Sequence, residues 1–194
     1  MNLSGASFTV FCGSSDAALP AHFEAARSLG AGLARAGAKV VYGGAAVGLM
    51  GALADAALAE DGKVVGIIPR RLVDRELAHP KLTELLIVST MHERKAKMSA
   101  HADGYIALPG GYGTFEELFE VVTWKQLGIH DRPIVAVDVD GYYAPMRAQI
   151  ERAIADGFMR ADYRDFVTFV PSADAAIDAL AGAAHPETPR GTWF

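Results

Sequence analysis

Short apolar runs recur along this chain with Ala/Leu-rich segments between them, and that alternation restricts the fold more than any other feature. The runs FTVFCGS (8–14), KVVYGG (39–44), KVVGIIP (63–69), ELLIVST (84–90), GYIALPG (104–110), PIVAVDV (133–139) and FVTFV (166–170) are the strand candidates. Most are continuously apolar rather than alternating with period two, the pattern of strands covered on both faces. Segments such as AHFEAARSLGAGLARAG and GLMGALADAALAEDG are long enough for crossover helices and end in glycine, a stop signal. Repeated strand–helix–strand units predict a Rossmann-like, doubly wound α/β fold. It would have a mostly parallel sheet of about seven strands with helices on both faces. Residues 1–183 read as one such domain without linker or fixed-period repeat, and 184–194 as a flexible C-terminal tail.

Composition narrows the partners. With 51% hydrophobic and 21% charged residues over 194 positions, the chain has material for a substantial core. A net charge of −5 argues against a duplex nucleic-acid binder, whose footprint would be basic. The single cysteine, Cys12, excludes an intramolecular disulfide and fits a reducing compartment. No basic n-region followed by an apolar h-region opens the chain, and no apolar run approaches the ~18 residues of a spanning helix. The expectation is a soluble cytoplasmic protein with no nucleic acid or membrane among its partners.

Ligands of open parallel sheets bind outside the carboxyl ends of the strands. Three such ends carry glycine where a backbone must come close to something: CGSSD (12–16), YGGAAVGLMG (42–51) and LPGGYGTFEE (108–117). Together they suggest a nucleotide or sugar-phosphate site. The motifs of several other chemistries are missing: GxxxxGK[ST], GxGxxG, the GxSxG elbow and HExxH. With one cysteine and scattered histidines, no metal site is expected.

In the third loop, Gly110, Gly111 and Gly113 can adopt backbone angles closed to other residues, letting successive N–H groups face one concavity. A helix starting near Thr114 would add its unpaired N–H groups and positive dipole end, and the Thr114 hydroxyl a further donor. The same residues also suit a plain strand-to-helix turn. Thr114 to Glu117 matches a capping box, with threonine as N-cap and glutamate at N3. A phosphate at that helix end would repel Glu116 and Glu117, so a carboxylate facing the ligand implies a second duty: balancing positive charge or activating water. MHERKAKM (91–98) supplies cations at the same sheet edge. Lys97 pairs with Glu93 at i,i+4 spacing, whereas Arg94 falls on another side and offers a planar fork to a phosphate or ribose.

VFCGSS, VYGGAAVGLMG, GIIPRRLVDRE, MHERKAKM, LPGGYGTFEEL, TWKQLGIHDRP and DGYY occur in an order and spacing that resemble the LONELY GUY family. Its members are cytokinin riboside 5′-monophosphate phosphoribohydrolases, long described as lysine decarboxylases. The similarity runs from about Phe8 to Val170, and ERK followed by PGGYGTxxE is its most specific part. An alanine in GGAAVGLMG, where many relatives have glycine, touches no catalytic position.

The resemblance implies Arg94 and Glu117 as catalytic residues, and Gly110, Gly111, Gly113 and Thr114 as the phosphate-binding loop. It carries further ligand contacts to Glu76, Lys95, Tyr112 and Glu116, and more loosely to Gly43, Gly44 and Thr123. The reaction implied is hydrolysis of the N-glycosidic bond of a purine nucleoside 5′-monophosphate, with an N6-modified adenine as base and no cofactor. A homodimer with sites near the interface is implied too. TWKQLGIH is a candidate contact, because exposed Trp124 and Leu127 would otherwise form an apolar patch. Two alternatives remain: a non-catalytic nucleotide or cofactor carrier using the same cradle, and a pyridoxal-phosphate-dependent lysine decarboxylase, for which no lysine sits in a recognisable context.

Overall fold

All seven apolar runs form strands of one sheet in the computed structural model, which describes residues 3–73 and 77–183. They are β1 (Ser7–Phe11), β2 (Lys39–Tyr42), β3 (Val64–Pro69), β4 (Glu84–Val88), β5 (Gly104–Ala107), β6 (Ile134–Val137) and β7 (Thr168–Val170). Most end earlier than the apolar run, because the trailing Gly, Ser and Thr residues already turn out of the ladder. Spatial order is β4-β3-β2-β1-β5-β6-β7, with every neighbouring pair parallel. Strand order reverses at β1, whose Thr9 pairs with Val41 on one side and Tyr105 on the other. The gap between the ends of β1 and β5 is therefore the switch point of the sheet. Glu76 and the tail expected over 184–194 lie outside the described residues.

The helices are α1 (Pro20–Arg35), α2 (Gly48–Ala59), the single turn α3 (Arg70–Val73), α4 (Met91–Ala100), α5 (Tyr112–Gln126), α6 (Ala144–Ala155) and α7 (Ala173–Gly182). None of them is long and apolar enough to cross a membrane. On one face, α1, α2 and α7 cover Phe8, Val10, Val40, Ile106 and Val137. Leu29 and Leu33 of α1 and Leu49 and Leu53 of α2 are at most 1% exposed, each contributing about 1.5–3 kcal/mol by burial. On the other face, Met98 of α4 and Leu118 and Val121 of α5 pack on Val41, Ile67, Tyr105 and Ala136.

Helix α4 begins at a working cap. The Thr90 hydroxyl accepts from Glu93 N–H (3.1 Å), and the Glu93 carboxylate accepts from Ser89 N–H (2.8 Å). That closes the strand-to-helix turn just ahead of Arg94.

Helix α5 departs from expectation. It starts at Tyr112 rather than Thr114, with Gly111 as N-cap in extended conformation and no side-chain cap. The first intrahelical bond runs from Phe115 N–H to Gly111 O (3.0 Å). Thr114 is thus inside the first turn and Glu117 in the second, so the Thr114–Glu117 capping box does not form. Nor do Gly110, Gly111 and Gly113 use left-handed angles; none has positive φ. Lack of a side chain, not backbone freedom, is what matters there. A Cβ on Gly110 would lie 2.1 Å from Thr114 Oγ1, while Gly111 and Gly113 border open space. Trp124 also differs: it is half-buried against the second core, leaving Leu127, 66% exposed, as the apolar residue at that end of α5.

Candidate active site

A cleft of about 530 Å³ opens at the switch point. Its floor is Cys12, Gly13 and Ser14 after β1 and Gly43 after β2, and its far wall is Gly111 to Thr114 with Glu116 and Glu117 from α5. The N–H groups of Tyr112, Gly113 and Thr114 precede the first intrahelical bond of α5 and lack helical partners. They end a helix of 15 residues, whose dipole favours an anion at that point.

Arg94 and Glu117 meet inside the cleft. Although both are charged types, they are only 6% and 5% exposed. Arg94 Nη1 lies 3.3 Å from Glu117 Oε1, and Arg94 Nε donates to Ile67 O (3.1 Å). The pair attracts without good hydrogen-bond alignment, so buried Oε1 has no hydrogen-bond partner among the described residues. Burial drives the Glu117 carboxyl up from 4.5 to about 7, with Arg94 pulling the other way. A carboxyl raised toward neutrality beside a guanidinium is equipped to take or hold a proton. Gly43 makes the arrangement possible: a Cβ there would fall 2.1 Å from Arg94 Nη2.

Lys95 lies outside the cleft lining and bridges α4 to α5, bonded to Glu116 and, at 2.9 Å, to Glu120. Burial lowers its ammonium and the two carboxylate bonds more than offset that, leaving it raised. The bridge ties the element carrying Arg94 to the one carrying Glu117. Lys97 pairs outward with Glu93 (3.9 Å), as its spacing predicts.

Of the expected residues, the fold brings Arg94, Glu117, Gly111, Tyr112, Gly113, Thr114, Glu116 and Gly43 to the cleft. Gly110 lies beneath it, packed on Thr114. Gly44 (φ +77°) turns the chain against Ile68 behind the wall. Thr123 does not join them: it is exposed on α5 with its hydroxyl bonded to Phe119 O (2.7 Å). Sequence reasoning missed the apolar side, Val47, Met50, Ile68, Leu72, Leu77 and Met91. These come from four separate segments and carry no local signal. It also missed Glu120, and Asp16, whose carboxylate accepts from Gly48 N–H (2.8 Å) at the start of α2. The buried thiol of Cys12 is pushed far up by desolvation and is inert at neutral pH.

Fold and cleft define a Rossmann-like protein whose ligand cleft pairs a helix N-terminus with a buried carboxylate and guanidinium. Residues 50–180 match the model of a protein family described as possible lysine decarboxylases. The chain belongs to this family, and within it to the LONELY GUY proteins. It is 44% identical over 187 residues to a probable cytokinin riboside 5′-monophosphate phosphoribohydrolase of Oryza sativa subsp. japonica, covering 95% of this chain and 84% of that one. A cytokinin riboside 5′-monophosphate phosphoribohydrolase of Arabidopsis thaliana is 44% identical over 171 residues, 88% of this chain and 75% of its own. Among solved structures, a molybdenum cofactor binding protein of the phototrophic bacterium Rippkaea orientalis shares the fold (TM-score 0.71, 19% identity, 93% of this chain and 98% of that one). The molybdenum cofactor carrier protein of Chlamydomonas reinhardtii does so too (TM-score 0.71, 16% identity, 91% and 96%).

Proposed function

We propose that the protein hydrolyses the N-glycosidic bond of a purine nucleoside 5′-monophosphate, releasing an N6-modified adenine and ribose 5-phosphate. The observation that carries this reading is Glu117: a buried carboxylate on the cleft wall, without a hydrogen bond to Oε1, beside an arginine and one helical turn from an anion-binding helix end. Buried carboxylates with a purely structural role are generally hydrogen-bonded.

In this reading the 5′-phosphate sits on the N–H groups of Gly111, Tyr112, Gly113 and Thr114, and the base lies along the apolar side. The C1′–N bond breaks with its electron pair leaving on the base, which takes a proton from solvent to depart as neutral adenine, and positive charge spreads over C1′ and the ring oxygen, as in other glycoside cleavages. Ionised Glu117 balances that charge and takes a proton from the attacking water, whose oxygen bonds to C1′. Arg94 orients the nucleotide and holds Glu117 in place. Exposed Phe119 and Leu127 on α5 support a homodimer, and free buried Cys12 fits a cytoplasmic setting.

The family description suggests a decarboxylase, but a Schiff base needs a lysine in the cleft. Among the described residues none lining it is a lysine, and Lys95 is tied to two glutamates. The test is to compare kcat/KM for a nucleoside 5′-monophosphate with that for the same nucleoside. The nucleotide should be favoured by at least about 10²-fold, since the phosphate positions C1′ against Glu117. Equal values would remove the phosphate from the account.

A further inference from the structure

Carbonyl groups decide where the third glycine loop points. Three consecutive carbonyls of the β5–α5 turn are each tied down. Leu108 O accepts from Tyr143 Oη (2.7 Å), Pro109 O from Gly13 N–H (3.1 Å), and Gly110 O from Tyr142 Oη. Two of the three donors are thus adjacent tyrosines, supplied by the turn after β6.

The local sequence explains why both tyrosines reach back to the end of β5. In VDVDGYY, Asp140 (φ +51°) and Gly141 (φ +75°) are both left-handed, which reverses the chain at once. The Asp138 carboxylate then accepts from Tyr143 N–H (2.6 Å), closing the turn. Tyr143 is completely buried. Tyr142 is part-buried, its ring against Phe115 of α5, His22 of α1 and Tyr143, with centroids 6.3, 5.6 and 5.1 Å away. Its hydroxyl lies on the loop rather than in the cleft, whose lining includes neither tyrosine.

We propose that Tyr142 is a positioning residue for phosphate recognition: by holding the Gly110 carbonyl it orients the Gly110–Gly111 peptide and with it the Gly111 N–H, the first donor of the cradle. In a trans peptide the C=O and N–H point opposite ways. Pinning Gly110 O on the Tyr142 side therefore turns Gly111 N–H to the other side, where Gly111 borders the cleft. Without the hydroxyl the Gly110 carbonyl loses its hydrogen bond, while the peptide planes on either side stay held by Gly13 N–H and Phe115 N–H. That one peptide would sample other orientations, and its Gly111 donor would be preorganised only part of the time.

This rests on the proposed reading of the loop as a phosphate cradle, and the two can fail separately. Tyr142→Phe keeps the ring and its contacts and removes only the hydroxyl. Ribose 5-phosphate binding, measured by calorimetry, should weaken about 10-fold, the scale of one lost hydrogen bond to a binding loop. KM for a nucleoside 5′-monophosphate should rise by a similar factor with kcat within about twofold, while kcat/KM for the unphosphorylated nucleoside stays unchanged. Tyr143→Phe, whose partner Leu108 lies at the strand end, should lower thermal stability and affect both substrates alike. Unaltered ribose 5-phosphate binding in Tyr142→Phe would overturn the proposal, as would an equal loss with nucleoside and nucleotide. Weakened ribose 5-phosphate binding in a protein that cleaves no nucleotide would instead overturn the proposed reaction and leave the role of Tyr142 standing.

Discussion

In Glu117→Gln the buried carboxyl becomes an amide of nearly the same shape, so packing is preserved while the charge is lost. Burial raises this group from its usual 4.5 to about 7. At 1.36 kcal/mol per pKa unit, ionising it in the folded protein costs about 3 kcal/mol. The sign follows from which state takes the proton more readily. Below about pH 4.5 the carboxyl is protonated folded and unfolded, and contributes no penalty. Between about 4.5 and 7 the unfolded chain ionises first, so stability falls as pH rises. Above about 7 the full penalty applies. Glutamine carries none of it, and no cap is lost because Glu117 stands in the second turn of α5. Urea unfolding should therefore give equal stabilities for variant and wild type below pH 4.5. At pH 8.5 the variant should gain up to about 3 kcal/mol, or roughly 6–12 °C in Tm. Its turnover should fall by roughly 10²-fold or more. A variant less stable than wild type at pH 8.5 would make Glu117 a structural partner of Arg94 and refute the reasoning.

Wild-type kcat/KM for the unphosphorylated nucleoside, which has no phosphate to titrate, should rise along an acid limb with its midpoint at about 7, reporting ionisation of Glu117, and a limb near 4.5 would contradict the burial argument. Arg94→Lys should be nearly as damaging in kcat/KM as Arg94→Ala, because lysine keeps charge but cannot bond Ile67 O and face Glu117 together. Gly43→Ala should cost roughly 10²-fold in activity with little change in Tm, since the new Cβ would displace the Arg94 guanidinium rather than open the core.

The sheet was legible because each strand announces itself locally: VVGII and PIVAV can hardly be anything but strands buried on both faces. Arg94 and Glu117 were legible through their motifs, and Lys97 through its spacing to Glu93. What escaped depends on contacts distant in sequence. The start of α5 differs from the pattern because T-F-E-E satisfies the capping-box signature, whereas Thr114 packs on Gly110 inside the first turn. The helix therefore takes Gly111 as its cap. Trp124 looked exposed because helical periodicity alone cannot say that the second core reaches it. Thr123, carried over only loosely from the resemblance, opens a separate stretch, TWKQLGIHDRP, and is exposed on α5 with its hydroxyl turned back to Phe119 O rather than in the cleft. No local pattern links Lys95 to Glu120, 25 residues away, or Tyr142 to Gly110, 32 residues away.

The most direct measurement follows N6-isopentenyladenosine 5′-monophosphate incubated with the purified protein, resolving all products by chromatography over time. The account predicts free N6-isopentenyladenine and ribose 5-phosphate appearing in equal amounts, at a rate lost in Glu117→Gln. Release of inorganic phosphate with intact riboside, or a rate unchanged in Glu117→Gln, would contradict it.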